Sequence, residues 1–234
     1  MSALNAFEIA RKWPAQYPDR IQLYSLPTPN GVKVSAMLEE TGLPYEAHKV
    51  DFATGDQKSP EFLSLNPNNK IPAMIDPDGP GGKPLPLWES GAMLIYLGEK
   101  SGRLLPADPA RKAETMQWLM WQMGGLGPMA GQLGFFHKFA GRDYEDRRPF
   151  ERYRDEVKRL IGVLDRHLDD RDFIIGPDYT IADIACWPWL RNLGGFYEAG
   201  EVLGLPDFRN VTRWLDTCLS RAASERAVNI PLRD

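Results

Sequence analysis

Glu89 and Ser90 stand where a short apolar segment gives way to a helical pattern. The first N–H groups of a helix have no partner within the helix, and the N-terminus is the positive end of the helix dipole. A serine hydroxyl at a helix start could therefore help to bind a carboxylate or another anion. The serine could also cap the helix with the acid incidental, and the two roles are compatible.

Thr28 and Asn30 form a second polar pair, in a segment rich in turn-forming residues (residues 27–31, PTPNG) ahead of another helical pattern. A hydroxyl, an amide and the N–H groups of a helix start can together stabilise a thiolate, whose parent thiol has an unperturbed pKa of about 8.5. The same residue types also suit a tight loop without a chemical role. The residues alone leave both interpretations open.

Ile71 and Pro72 form a third local signal, ahead of a predicted strand. An X–Pro bond adopts the cis form at a cost of only about 0.5–1 kcal/mol. A turn at this bond could offer the backbone N–H and C=O of Ile71 to an extended ligand, as a neighbouring strand would. Otherwise the proline marks the entry to the strand and nothing more.

The two cysteines, Cys186 and Cys218, are far apart and belong to no CxxC pair. Their spacing predicts neither a disulfide framework nor a tetrahedral zinc site, and we expect Cys186, in an apolar helical segment, to be an inert buried thiol. The three histidines show no metal-ligand spacing, so the sequence predicts no metal. Two thiols with no short spacing and an N-terminus without a signal-peptide pattern favour a cytoplasmic protein.

Charge and hydropathy argue against two classes of partner. The 234 residues carry a formal net charge of −4, whereas a nucleic-acid-binding surface needs a net basic face. No stretch approaches the roughly 18 consecutive apolar residues of a membrane span. We therefore expect neither nucleic acid nor a membrane as partner.

Apolar alternation and helical spacing predict a βαβ unit followed by a ββα unit. The predicted strands are residues 21–24, 45–52, 73–75 and 85–87. The predicted helices are residues 34–41, a short one at 60–65, and 90–100. The first two strands should be parallel, with a right-handed crossover between them.

The chain becomes helical throughout beyond about residue 110. Apolar residues at three- and four-residue spacing predict helices over residues 152–168 and 208–219. We therefore divide the chain into an N-terminal arm (1–20), an α/β domain (21–102) and an all-helical domain (110–234).

Three motifs follow one another along this framework: residues 69–73 (NKIPA), 88–92 (WESGA) and 180–183 (TIAD). In this order and on these elements they resemble the cytosolic glutathione transferase family, and the resemblance covers the chain from about Ile21. It implies a thioredoxin-like N-terminal domain followed by an all-helical C-terminal one. It also implies glutathione as the bound co-substrate and a homodimer.

Within that family the chain is most similar to the bacterial nu class, typified by glutathione-disulfide oxidoreductases. The motifs that carry this similarity are residues 27–31 (PTPNG), 66–72 (NPNNKIP), 124–129 (GGLGPM) and 184–189 (IACWPW). The resemblance implies two glutathione molecules, or one glutathione disulfide, per site. The arm before Ile21 departs from the family pattern, so the resemblance implies no role for it.

The resemblance assigns the sulfur end of glutathione to the first strand-to-helix loop. It implies that Thr28 and Asn30 are the catalytic residues, at the place where thioredoxins carry their catalytic cysteines. Tyr24 and Ser25 are nearby alternatives, because other transferase classes use a tyrosine or serine hydroxyl. Tyr24 suits a position in the strand core better.

The rest of glutathione is assigned by the same resemblance. It implies that Ile71, beside a cis Pro72, pairs with the cysteinyl part, and that Ser90 and Glu89 hold the γ-glutamyl carboxylate. The remaining implied contacts are polar side chains: Gln57 and Lys70 at the glycyl end, and Arg152 at a carboxylate of a second glutathione.

Thr180 and Asp183 are better explained by structure than by chemistry. Thr180 is predicted to cap a helix, Asp183 to reach back in a capping box, and Tyr179 to pack on Ile184 as a hydrophobic staple.

Residues 123–129, rich in glycine and methionine, have two interpretations. Together with Gln132, Phe135 and Phe136 they could line a pocket for a second substrate, since glycines allow the backbone to come close. They could equally form a kinked core helix.

Together with the resemblance, the polar first loop around Thr28 and Asn30 favours a glutathione-dependent disulfide oxidoreductase. Because no cysteine stands in the first loop, the attacking thiolate must come from glutathione itself. Two other functions stay open: conjugation of glutathione to an apolar electrophile at the same site, and a non-catalytic binding or adaptor module with the same fold. The intact pairs at 71–72 and 89–90 argue against the module.

Overall fold

The computed structural model describes residues 3–232 and groups them into two compact units. The first unit contains the chain up to Ser101 together with the segment that starts at Ala222, and the second runs from Gly102 to Arg221. These units differ from the predicted domains at both ends of the chain. The arm and the last helix both group with the first unit.

A four-stranded mixed sheet organises the first unit. Its strands are β1 (Ile21–Ser25), β2 (Tyr45–Lys49), β3 (Ala73–Asp76) and β4 (Leu85–Trp88), in the spatial order β2–β1–β3–β4. As predicted, β1 and β2 are parallel, and β3 is antiparallel to both β1 and β4. Every residue of β1 is buried, as expected for an inner strand covered on both faces. This arrangement confirms the thioredoxin-like fold.

The helices of both units include those that the sequence predicts, close to their predicted positions, and further helices. They are α1 (Pro29–Thr41), α2 (Pro60–Leu65), α3 (Ser90–Ser101), α4 (Pro109–Trp121), α5 (Gly127–His137), α6 (Arg148–His167), α7 (Ile181–Gly194), α8 (Gly200–Leu203), α9 (Arg209–Leu219) and α10 (Ala222–Ala227). The start of α1 is earlier than predicted, because Thr28 caps it and Pro29 suits the first helical position. Within residues 3–232 no helix is long and apolar enough to cross a membrane.

The N-terminal arm belongs to the core of the first unit. Leu4 and Ile9, in two short 3₁₀ turns, are buried in the same apolar cluster as Ile71. The indole Nε1 of Trp13 donates a hydrogen bond of 2.9 Å to the carbonyl of Lys49 in β2. Burial of these apolar side chains explains why the arm joins the α/β unit.

The C-terminal helix α10 packs on α1. Ser35 Oγ donates a hydrogen bond of 2.9 Å to the carbonyl of Ala227, and Arg226 pairs with Glu39. Ala223 and Ala227 are buried at this contact, and their small side chains allow a close approach. Helix α10 therefore supports α1, the helix that Thr28 caps.

In the second unit, α4 and α5 are joined by a π-helical segment, Gln122–Leu126. Gly127 follows it, and a Cβ there would lie 2.6 Å from Gln122 Nε2 and 3.3 Å from Trp189 Nε1. The glycine thus lets two side chains pack on the helix backbone. The π-helical segment interrupts the regular α-helical hydrogen bonding between α4 and α5.

The predicted capping box at the start of α7 is present. Asp183 Oδ2 accepts a 2.9 Å hydrogen bond from the Thr180 N–H, while its Oδ1 accepts bonds of 2.9 Å from the Ile174 N–H and from Trp214 Nε1. Burial raises the pKa of Asp183 to about 6, against the opposing effect of these donors. The carboxyl group joins the preceding loop, α7 and α9.

Candidate functional site

The first turn of α1 is held close to the end of β1. Thr28 occupies the N-cap position, and its Oγ1 accepts a hydrogen bond of 3.3 Å from the Gly31 N–H. A Cβ on Gly31 would lie 1.9 Å from the carbonyl oxygen of Leu26 and 2.5 Å from Ser25 Oγ. Only glycine therefore fits here without a backbone shift.

Thr28 keeps a proton for another partner in this arrangement. Its hydroxyl acts as acceptor in the cap, and a hydroxyl carries one donor in addition to its acceptor lone pairs. Pro29 has no N–H, so the first helical N–H groups are those of Asn30 and Gly31. The first turn of α1 thus contains a helix dipole, a hydroxyl group and an amide side chain.

The two alternative hydroxyls are buried. Tyr24 is stacked on His48, with ring centroids 4.8 Å apart, and burial raises the pKa of its phenol. Ser25 is fully buried and donates a 3.2 Å hydrogen bond to the carbonyl of Leu26. The structure agrees with the expectation that Tyr24 is a core residue, and it gives Ser25 a similar role.

Asn66 shapes the loop that carries Lys70 and Ile71. Its side chain is buried, its Nδ2 donates a 2.5 Å hydrogen bond to the Lys70 carbonyl, and its Oδ1 accepts one of 2.9 Å from the Asn68 N–H. The Lys70 side chain is exposed. The loop backbone is thus fixed from inside while the ammonium group remains available at the surface.

The Ile71–Pro72 peptide bond is cis, as the family resemblance implies. Strand β3 starts at Ala73, which pairs with Tyr24 on one side and Trp88 on the other. The backbone of Ile71 therefore lies just outside the ladder, while its side chain is buried in the apolar cluster. Such an arrangement suits pairing with an extended ligand.

Glu89 and Ser90 form the turn from β4 into α3. Glu89 has a left-handed φ of 73°, and its carbonyl accepts the Met93 N–H at 3.0 Å, so the cap position is Glu89 rather than the predicted Ser90. Ser90 is the first residue of α3 and is buried, with 3% of its surface exposed. A left-handed φ at a residue other than glycine is uncommon and is often found at functional sites.

Lys33 approaches this turn from α1. It is buried, with only 1% of its surface exposed, and its Nζ lies 3.4 Å from Ser90 Oγ. The two helices pack against each other in the first unit. A lysine ammonium group therefore lies beside the N-terminus of α3.

Gln57 and Arg152 lie in different units. Gln57 is in a 3₁₀ turn, Asp56–Lys58, and its buried Oε1 accepts no hydrogen bond from any residue in the described part of the chain. Arg152 is exposed on α6 of the second unit. The first unit thus contains eight of the nine residues assigned by the resemblance: Thr28, Asn30, Gln57, Lys70, Ile71, Pro72, Glu89 and Ser90.

Two family descriptions match the chain in the order of the two units. Residues 20–99 match "Glutathione S-transferase, N-terminal domain", and residues 149–217 match "Glutathione S-transferase, C-terminal domain". The chain belongs to the glutathione S-transferase family. The thioredoxin-like fold followed by helices is the fold of these transferases.

Three similar proteins are informative about this transferase. Disulfide-bond oxidoreductase YfcG from Escherichia coli is 44% identical over 211 residues, which cover 89% of this chain and 94% of the relative. A glutathione transferase from Burkholderia graminis, solved with two glutathione molecules per subunit, is 63% identical with a TM-score of 0.98, covering 100% of this chain and 98% of that one. A glutathione transferase from Pseudomonas putida, with one glutathione disulfide per subunit, is 62% identical with a TM-score of 0.96, covering 97% and 99%.

Both cysteines of the transferase are buried in the second unit and form no disulfide. Among residues 3–232, no group of three or more histidine, cysteine or acidic residues is arranged to hold a metal ion.

Three residues that shape the site were missed as site residues at the sequence level. Lys33 interrupts the run from Gly31 to Leu38, all of which is buried, and a lone charge in an apolar run was the available signal. Asn66 precedes a proline, where only a turn would be expected. The close contact at Gly31 depends on a backbone approach that no local pattern predicts.

Proposed function

We propose that this transferase is a glutathione-dependent disulfide oxidoreductase of the nu class. The observation that carries the proposal is the first turn of α1, where Thr28 caps the helix and no cysteine stands at the positive end of the helix dipole. The chain's own thiols are buried in the other unit. The reducing thiol at this turn must therefore come from a bound molecule, which we take to be glutathione.

Polar groups of the first unit suit each part of glutathione by their chemistry. The Ser90 turn at the start of α3 suits its γ-glutamyl carboxylate, the Ile71 backbone its cysteinyl peptide, and the Thr28 turn its sulfur. The buried Oε1 of Gln57 is an acceptor that a ligand N–H would satisfy. Arg152 is assigned to a second glutathione by family resemblance alone.

The reaction consists of two thiol–disulfide exchanges. The thiolate of one glutathione attacks a sulfur of the substrate disulfide, so that one S–S bond forms, one breaks and a thiolate leaves. A second glutathione thiolate then attacks the mixed disulfide, which releases the other substrate thiolate and leaves glutathione disulfide. The Thr28 hydroxyl and the helix dipole would favour the attacking thiolate by lowering its pKa.

The relatives support a site for two glutathione sulfurs. The Burkholderia graminis structure contains two glutathione molecules per subunit, and the Pseudomonas putida structure contains one glutathione disulfide. Two glutathione molecules are consumed over the two exchanges together, and one glutathione disulfide is formed. A relative 44% identical is named a disulfide-bond oxidoreductase.

The test is glutathione-dependent reduction of 2-hydroxyethyl disulfide, coupled to glutathione reductase and NADPH. We expect Cys186→Ala/Cys218→Ala to keep wild-type turnover, because neither thiol takes part. We expect Thr28→Ala to lower kcat/KM about 10- to 100-fold, the effect of one hydrogen bond to a charged group. Thr28→Ser is the matched control, because it keeps both the cap and the donor.

Two results would contradict the proposal. If wild type binds glutathione without reducing the disulfide, conjugation to an electrophile or an adaptor role is left. If the double cysteine variant is inactive although folded, a protein thiol carries the reaction.

Family resemblance also supports a homodimer in the cytoplasm. Light scattering coupled to size-exclusion chromatography tests the first, with about twice the mass of the chain expected. Fractionation of the native cell tests the second.

A further inference from the structure

The N-terminal arm is held against the first unit by an ion pair as well as by its apolar side chains. Lys12 Nζ lies 2.7 Å from Asp56 Oδ1, and the two side chains keep only 34% and 14% of their surface exposed. The same ammonium group lies 5.1 Å from the ring centroid of Trp13. It is thus held by an aromatic ring and a carboxylate, which makes this contact stronger than an ion pair in open solvent.

Trp13 fixes the backbone from which Lys12 extends. Its indole Nε1 donates a hydrogen bond of 2.9 Å to the Lys49 carbonyl at the end of β2. Its ring makes edge contacts with Tyr24 of β1 and Phe62 of α2, at centroid distances of 5.9 and 6.4 Å. The arm therefore contacts the chain both before and after the loop that joins β2 to α2.

Asp56 connects the arm to the turn that carries Gln57. Its Oδ2 accepts a hydrogen bond of 2.9 Å from the Asp51 N–H, while its Oδ1 faces Lys12. Burial alone would raise the pKa of Asp56, but the hydrogen bonds from Lys12 and from the Asp51 N–H outweigh it and hold the pKa below its ordinary value. The charged carboxylate thus joins the start of the loop, the 3₁₀ turn Asp56–Lys58 and the arm.

We propose that Lys12 is a positioning residue that, through Asp56, fixes Gln57 for the glycyl end of glutathione. This role rests on the proposed function, under which Gln57 binds glutathione. The Gln57 Oε1 atom is buried and accepts no hydrogen bond from any residue in the described part of the chain, so it is available to a ligand N–H. Ordering a loop on binding weakens affinity, and a loop already fixed in the free protein avoids that loss.

The test compares two ligands by calorimetry: glutathione and γ-glutamylcysteine, which lacks the glycine. We expect Lys12→Met to weaken glutathione binding about 3- to 10-fold, as for loss of a partly buried ion pair, and to leave binding of γ-glutamylcysteine unchanged. Lys12→Arg keeps the ion pair and should retain wild-type affinity for both ligands. Arg11→Met is the matched control and should behave as wild type, because Arg11 pairs with Glu8 within the arm.

A second comparison tests whether Lys12 acts through Gln57. In a Gln57→Ala background, Lys12→Met should cost less glutathione affinity than it does in wild type, because coupled residues are not additive. In the coupled assay, Lys12→Met should raise KM for glutathione with little change in kcat, since the Thr28 turn is left intact. If Lys12→Met does not fold cooperatively, Lys12→Gln keeps a donor without the charge and should show a smaller loss for glutathione alone.

Three results would contradict this role of Lys12. An equal loss for both ligands, or no loss for either, would overturn it while the proposed function stands. Unchanged glutathione binding by Gln57→Ala would also overturn it, because Lys12 would then have no binding residue to position. Absence of glutathione binding by wild type would overturn the proposed function and this inference together.

Discussion

Two hydroxyl groups at helix starts in the first unit both act as hydrogen-bond acceptors within the protein. Thr28 Oγ1 accepts from the Gly31 N–H, and Ser90 Oγ accepts from Lys33 Nζ. Each hydroxyl therefore uses an acceptor lone pair within the protein. Both hydroxyl groups stand where a helix dipole favours a negative charge. Glutathione presents a thiolate and a carboxylate, and these are the charges that such helix starts would favour.

Gly31→Ala tests how closely the first turn of α1 is fitted. The added Cβ would meet the Leu26 carbonyl at 1.9 Å, so the turn must shift. We expect a loss of about 1–3 kcal/mol in the free energy of unfolding and a larger KM for glutathione. Urea denaturation and the coupled assay measure the two effects.

The matched control is Gly162→Ala in α6. Its Cβ would meet side-chain atoms no closer than 3.5 Å, and alanine is favoured over glycine inside a helix by up to about 1 kcal/mol. This variant should be as stable as wild type or more so. If Gly31→Ala were equally harmless, the close approach to Leu26 would not constrain the turn.

Local signals predicted much of this site. The polar loop at Thr28, the Ile71–Pro72 bond and the turn at Ser90 all lie at element ends, where sequence carries the most information, although the cap role of Thr28 was not predicted. The burial of Lys33 and its contact with Ser90 were not predictable, because they depend on how α1 packs on α3. The cap of α3 is Glu89 rather than Ser90, and this depends on a left-handed φ that glutamate rarely adopts.

At the scale of elements, the arm and α10 show the limit of sequence reasoning. Both are short, and the arm lacks a regular apolar period. The sequence therefore does not indicate which elements they pack on. Their grouping with the first unit depends on pairs far apart in the chain, such as Trp13 with Lys49 and Ser35 with Ala227. The parallel β1–β2 pair was predictable, because a βαβ connection constrains it strongly.

Ile9→Ala tests whether the arm supports the loop that carries Ile71. Ile9 is fully buried in the cluster that also contains Ile71. We expect a loss of about 2–5 kcal/mol in the free energy of unfolding, as for other large-to-small core changes, together with weaker glutathione binding by calorimetry. Asn5→Ala, at an exposed arm position, should change neither. Unchanged stability of Ile9→Ala would mean that the arm is dispensable.

The buried carboxyl group of Asp183, in the capping box of α7, should make the free energy of unfolding depend on pH. Burial raises the pKa of Asp183 to about 6 from an ordinary 3.8. The stabilisation linked to its protonated form is therefore complete below pH 3.8 and is lost as the pH rises through about 6. Relative to Asp183→Asn, which does not titrate, the wild type should lose up to about 3 kcal/mol between those limits.

The measurement is chemical denaturation of both proteins from pH 4.5 to 7.5. The amide also leaves some of the donors on Asp183 unsatisfied, which adds an offset that does not vary with pH. A stability difference that instead grows in favour of wild type as the pH rises would show that the hydrogen-bond donors outweigh burial.

At the scale of the whole molecule, the first unit is discontinuous in sequence. The chain builds most of it, forms the second unit, and then adds α10 at the end. A protein made this way depends on α10 to complete the unit that carries the proposed glutathione site. The two cysteines, both buried in the second unit, provide a separate probe of that unit.

Ending the chain after Arg221 tests this dependence. Removal of α10 exposes the face of α1 around Ser35 and deletes the Arg226–Glu39 pair. Because the same helix begins at Thr28, we expect weaker glutathione binding and earlier melting of the first unit. Labelling of Cys186 and Cys218 by a thiol reagent should stay as slow as in wild type, because both lie outside that unit. Glu225→Ala, at an exposed position on α10, is the control and should retain binding. Faster labelling of the truncated chain would instead mean that α10 stabilises both units together.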